Sequence, residues 1–173
     1  MLTLTTERLL IQSLTPEDAP HMLAVLNDPD FIANVADRGV RTLEQARTYI
    51  EEGPMASYRD HGFGMYAVRL RSNGEFMGLC GLVRRPQLDD VDIGYGFLPV
   101  ARGRGLAIEA ASAVRDYAVN ELRLGRIVAI VNPDNAPSIR LLEKLGLHYE
   151  RDITLAEGEK PIHLYGWNRN EDN

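Results

Sequence analysis

The segment Pro99-Val100-Ala101-Arg102-Gly103-Arg104-Gly105-Leu106-Ala107 constrains this chain more than any other. A strand-like run from Asp89 to Leu98 leads into it. Behind it, Leu106, Ala110, Val114, Tyr117 and Ala118 recur on one face of a helix predicted from about Arg104 to Asn120. A strand that feeds a helix through glycines exposes the free N–H groups and the positive dipole end of that helix. Gly103 and Gly105 let an anion approach the main chain, and Arg102 and Arg104 add charge, so the turn suits a phosphate. A plain tight turn uses the same glycines, which leaves the choice to the surrounding sequence.

Three kinds of phosphate ligand compete. A mononucleotide loop needs Gly-Lys-Ser or Gly-Lys-Thr at the helix start, and neither is present. A dinucleotide site wants a small residue where Ile108 stands and an acid at the end of the next strand, which here ends Val131-Asn132-Pro133. Coenzyme A, with its pyrophosphate, remains.

The other elements alternate in a way that excludes a barrel or a long βαβ array. A strand from Leu9 to Leu14 precedes a helix opened by Thr15-Pro16-Glu17-Asp18 and ended at Asn27-Asp28-Pro29. A second helix starts with capping-box spacing at Thr42-Leu43-Glu44-Gln45 and runs to about Tyr58, with a break at Gly53-Pro54. Phe63 to Arg71 and Glu75 to Arg84 read as a hairpin around Asn73-Gly74. Ile127 to Val131 is a short buried strand, Asn135 caps a helix ending at Leu145-Gly146, and Leu147–Leu155 and Ile162–Trp167 are two late strands. The fold class is mixed α/β, one domain over residues 1–168 with a polar tail at 169–173.

Composition narrows the function. Nineteen Lys and Arg against twenty-five Asp and Glu give a formal charge of -6, which argues against a nucleic-acid partner. The single cysteine, Cys80, sits in an apolar run and reads as a buried hydrophobe, so there is no internal disulfide and no cysteine-rich metal site. His21, His61, His148 and His163 lack helical ligand spacing and read as structural, so no metal is expected. No apolar run approaches the ~20 residues that cross a bilayer and no leader segment is legible, so no membrane partner and a cytoplasmic location are expected.

With the phosphate turn in place, the chain resembles the GCN5-related N-acetyltransferase (GNAT) superfamily. Arg102-Gly103-Arg104-Gly105-Leu106-Ala107 matches that family's acetyl-CoA signature. Asn132-Pro133-Asp134-Asn135-Ala136-Pro137-Ser138, continuing to Lys144-Leu145-Gly146, matches a second pattern. Thr6-Glu7-Arg8-Leu9 through Ala19, and Ile93-Gly94-Tyr95-Gly96-Phe97-Leu98-Pro99, are similar to the branch holding ribosomal-protein N-terminal acetyltransferases. The resemblance covers nearly the whole chain.

It implies a central, mostly antiparallel sheet flanked by helices. The strand ending near Phe97 would carry a bulge and splay from the strand at Ile127 to Val131. Acetyl-CoA would be the acetyl donor. Its pantetheine would pair with backbone around Phe97 and Leu98, its pyrophosphate would sit on the amides from Gly103 to Ala107, and Asn132, Asn135 and Ser138 would line the thioester end. Attack by an unprotonated amine forms an oxyanion, for which a backbone N–H near Phe97 is the donor; such donors contribute roughly 3–4 kcal/mol elsewhere. The tyrosine acid common in the family falls where this chain has Leu142, and the resembled branch puts Ser138 in that role. Asp92 is the candidate base, with a substrate-orienting carboxylate and an ordinary surface acid as the other readings.

The expected activity is direct transfer of acetyl to a primary amine. The acceptor is a peptide N-terminal amine first, and a small molecule such as a polyamine or aminoglycoside second. A coenzyme-binding regulatory module that has lost catalysis is the reading from another class. Acceptor contacts are expected from about Asp28 to Arg41 and from Glu157 to Pro161. The late strands offer an edge at which a homodimer can pair.

Overall fold

The computed structural model describes residues 1–171. Eight strands form one open sheet in the order β1-β2-β3-β4-β5-β6-β8-β7. They span Thr3–Thr5 (β1), Leu9–Ser13 (β2), Met65–Leu70 (β3), Phe76–Val83 (β4), Asp92–Phe97 (β5), Arg126–Val131 (β6), His148–Ile153 (β7) and Ile162–Asn168 (β8). Six helices join them: Ala19–Leu26 (α1), Pro29–Asn34 (α2), Leu43–Ile50 (α3), Ala56–His61 (α4), Leu106–Asn120 (α5) and Ala136–Lys144 (α6).

Local chemistry accounts for most boundaries. The β3–β4 turn carries Gly74 at φ +76°, a left-handed position that glycine takes without strain. At Thr42 the capping box is complete: the Gln45 N–H donates to Thr42 Oγ1 at 3.1 Å and the Thr42 N–H donates to Gln45 Oε1 at 3.2 Å. Past Ile50 the helix widens into a π-helical turn, Glu51–Met55, before α4. Pro54 has no N–H for the regular ladder, so the expected break is a widening rather than an end.

Two large apolar clusters, with a smaller one at Leu88, Val128 and Leu164, cover the faces of the sheet among the described residues. One joins β2, β4 and β6 to Leu106, Ala110 and Val114 of α5 and to Leu142 of α6. The other joins Met22 and Leu26 of α1 and Ile50 of α3 to Ala67, Phe76 and Leu79. Cys80 is fully buried in the first cluster, where burial pushes its thiol up to about 12, as an inert core residue requires.

The pairing that places the site is parallel: β5 meets β6 only at Asp92↔Val128, and beyond that pair the two strands diverge. The bulge expected in β5 is absent. β5 pairs with β4 in continuous register from Val83↔Asp92 to Gly78↔Phe97, and the irregularity falls in the β3–β4 pairing, where Val68↔Gly78 is followed by Arg69↔Phe76 and Met77 of β4 is skipped. The splay therefore arises where β6, still paired with β8, parts from β5, not from an extra residue in β5.

Strand β1 and helix α2 were not legible in the sequence. β1 is three residues long, and α2 begins where Asp28-Pro29 reads as a helix end. β7 forms one edge of the sheet. The expected tail at 169–173 is described as far as residue 171. Its first residue packs, with the Arg169 N–H bound to Gly125 O at 3.0 Å, while residues 172 and 173 lie outside the described residues. Among the described residues no helix is long and apolar enough to cross a membrane.

Candidate active site

The divergence of β5 and β6 opens a cleft of about 940 Å³. Asp92, Tyr95, Asn132, Asn135, Ser138 and Leu142 all line it. Four of these six are predicted site residues, brought together from a strand, a strand end and the first turn of a helix. Phe97, Leu98 and the glycine turn lie outside its lining and continue the β5 edge.

Register shows which backbone groups face the gap. The Leu98 N–H donates to Met77 O at 2.9 Å, so the paired residues Gly78 and Phe97 exchange no bonds with each other. Phe97, and by alternation Tyr95, therefore turn N–H and C=O toward the gap. Val91 O, on the same side, accepts from the Val128 N–H at 3.0 Å, which closes the last rung before the strands part. An amide-bearing ligand can supply the rungs that β6 does not.

Next comes the turn. Gly103 and Gly105 have φ of +71° and +73°, and a Cβ on Gly103 would meet nothing within 4 Å. Glycine is needed there for backbone direction, not for space. The helix that follows starts at Leu106 with its first amides outside the helical ladder. Glu109 anchors this first turn: it accepts the Arg8 N–H at 2.9 Å and pairs with Arg8 Nε at 2.7 Å, while Arg8 Nη1 donates to Arg104 O at 2.7 Å.

The predicted arginines already have partners. Arg102 pairs with Asp28 at 2.7 Å and Asp30 at 2.6 Å and donates to Phe97 O at 3.2 Å. Arg104 donates to Val100 O at 3.2 Å. Asn132 Nδ2 donates to Asn34 O at 2.8 Å. The predicted side chains Arg102 and Asn132 thus hold the two ends of α2, with Phe31 of that helix lying over Gly96, where a Cβ would come within 3.1 Å of it. Asn135 caps α6, its Oδ1 accepting the Ser138 N–H at 3.3 Å.

Asp92 is no ordinary surface acid. Its side chain is 1% exposed, Oδ2 accepts from Arg85 Nε at 3.1 Å, and Oδ1 has no partner. Burial raises its carboxyl above the usual carboxylate range, and Arg85 opposes only part of that shift. A buried carboxylate oxygen with nothing to accept from is costly and asks for a donor in the cleft.

Across the gap, the Tyr95 hydroxyl lies 2.5 Å from Ser138 Oγ. Leu142 is buried in the core, so no acid comes from that position. Sequence reasoning missed Tyr95 and Arg85. Tyr95 stands in the matched run Ile93-Gly94-Tyr95-Gly96, where its hydroxyl between two glycines was the available signal; nothing marked Arg85.

An open sheet parted between a parallel pair, with a glycine turn at a helix start beside the gap, suits an extended ligand that carries both amides and phosphate. The Acetyltransferase (GNAT) domain family matches residues 8–148, and the chain belongs to that family. It is an acetyltransferase. It is 32% identical to the protein YkkB of Bacillus subtilis over 166 residues, covering 94% of this chain and 93% of that one. The acetyltransferase from Agrobacterium tumefaciens superposes with a TM-score of 0.82 at 25% identity, covering 98% and 95% of the two chains. RimL, a ribosomal L7/L12 alpha-N-protein acetyltransferase crystallised with coenzyme A, shares the fold with a TM-score of 0.81 at 16% identity over 96% and 98%.

Proposed function

We propose that the protein transfers acetyl from acetyl-CoA to a peptide or protein N-terminal amine held at Asp92. The observation that carries this reading is the unpartnered Asp92 Oδ1 in the cleft wall. An N–H of the neutral amine satisfies that oxygen, and a carboxylate with a raised pKa takes a proton more readily than an ordinary one. The peptide preference is supported by the extent of the cleft, whose lining runs from Met22 on α1 to Ile162 on β8, and by the likeness in fold to RimL.

The residues fit the donor. When bound, acetyl-CoA supplies an activated thioester. Gly103 to Ala107 would hold its pyrophosphate, and the gap-facing backbone of Tyr95 and Phe97 its pantetheine. The expected Leu98 contact falls away, because its N–H is bound to Met77 O and its carbonyl to the Ala101 N–H. The Phe97 N–H would donate to the carbonyl oxygen. Ser138 would meet the departing sulfur, with Asn135 fixing the turn on which Ser138 sits. Asp92 Oδ1 takes the proton that the amine nitrogen gives up.

Mass spectrometry of a mixed amine panel with acetyl-CoA tests the acceptor. Peptides with free N-termini should gain an acetyl group, and Nα-blocked peptides without lysine should not. Acetylation of polyamines or aminoglycosides alone would overturn the peptide reading. No product from any amine would overturn transfer to these acceptors altogether.

A further inference from the structure

Ser138 lies on the first turn of α6, and Tyr95 reaches it from β5 across the cleft. We infer that Tyr95 is a positioning residue for Ser138: its phenol donates to Ser138 Oγ and leaves the serine's own proton free for the sulfur of the leaving thiol. This rests on the reading that Ser138 faces that sulfur.

The geometry carries the assignment. The Tyr95 hydroxyl lies 2.5 Å from Ser138 Oγ and 3.3 Å from the Ser138 carbonyl oxygen, and its single proton goes to the nearer atom. A serine hydroxyl has one proton and two lone pairs. Were Ser138 the donor in this pair, its proton would point at Tyr95 and be lost to the cleft. A phenol is the stronger donor and an alkyl hydroxyl the stronger acceptor, so the phenol donates. Serine in a helix otherwise tends to turn its hydroxyl back onto nearby backbone. Tyr95 occupies Oγ from the other wall and holds it there. Burial pushes the phenol up to about 12, so it keeps the proton it donates with at any ordinary working pH.

No proton changes owner between Tyr95 and Ser138. The amine nitrogen bonds to the acetyl carbon, and the carbon–sulfur bond breaks with its electron pair on sulfur. The amine's excess proton goes to Asp92. Ser138 hydrogen-bonds to the thiolate, which takes its proton from water after release. Tyr95 contributes by removing the orientations of Ser138 that waste that bond.

Tyr95→Phe deletes only the hydroxyl. Its kcat should fall about tenfold, with KM for acetyl-CoA and acceptor held within about twofold. In a Ser138→Ala background the same change should cost less than about twofold more, because the partner is gone. A merely structural tyrosine would instead multiply the two losses. An active wild-type protein with an unchanged Tyr95→Phe kcat, or with multiplicative losses, overturns this inference and leaves acetyl transfer standing. A Ser138→Ala protein with unchanged turnover overturns it together with the serine's role. A wild-type protein that acetylates no amine removes the reading on which it rests. If thermal melts show that Tyr95→Phe does not fold, difluorotyrosine at position 95 keeps the shape and lowers the phenol's pKa. It should add an alkaline loss of kcat absent from the wild type, and no new loss would overturn the inference.

Discussion

The two halves of the cleft are held by different means. On the side proposed for the donor, the turn and the starts of α5 and α6 are shaped by groups close in sequence: two glycines at positive φ, a helix start and an Asn135 cap. On the side proposed for the acceptor, α2 is tied down by side chains from far along the chain, Arg102 to Asp28 and Asp30, and Asn132 to Asn34. Asp92 there depends on Arg85 from the preceding loop. The proposed coenzyme half is shaped first by local backbone and then braced from afar by Arg8 on Glu109 and Arg104 O, whereas α2 in the proposed amine half is held chiefly by distant side chains. Backbone amides suit a ligand that every homologous fold must hold, whereas side chains can be exchanged to suit another acceptor.

The comparison can be broken at three points. Asp92→Asn should lower kcat by roughly 10²–10⁴-fold while leaving coenzyme A affinity unchanged by calorimetry. A parallel loss of coenzyme affinity would show that the halves are not separable. Gly105→Val should do the converse. Its positive φ and the Arg8 Nη2 at 3.4 Å from an added Cβ strain the turn by about 1–2 kcal/mol, so coenzyme A should bind about tenfold more weakly. Acceptor KM should stay within about twofold, and a larger change would join the two sides.

The smallest effect sharpens the acceptor half. A base works ionised, so burial of Asp92 places the acidic limb of kcat above the ordinary carboxylate range. Arg85 lowers the pKa of Asp92, and its loss must raise it. Arg85→Gln should therefore move that limb to higher pH by less than about one to three pH units, the span of a neighbouring charge at full strength. A limb that stays put under Arg85→Gln, or persists in Asp92→Asn, belongs to another group.

Legibility in the sequence follows the same division. Glycines, caps and apolar periodicity act over a few residues, so the turn at Arg102-Gly103-Arg104-Gly105, the hairpin at Asn73-Gly74 and the cap at Thr42 were all readable before folding. Ser138 and Asn135 were readable as neighbours on one helix start. The short helix α2 was not, because Asp28-Pro29 serves as well to end one helix as to begin the next.

By itself the sequence determined the class of fold, the glycine turn ahead of α5 and the family, since each rests on residues that act through their own backbone or their immediate neighbours. Only the tertiary structure decided that Asp92 is buried with one oxygen unpartnered, that Arg102 is engaged by Asp28 and Asp30, and that Tyr95 meets Ser138. Tyr95 and Ser138 are separated by 43 residues. Strand alternation says that a side chain takes one face or the other, but only the parting of β5 from β6 makes one of those faces a site.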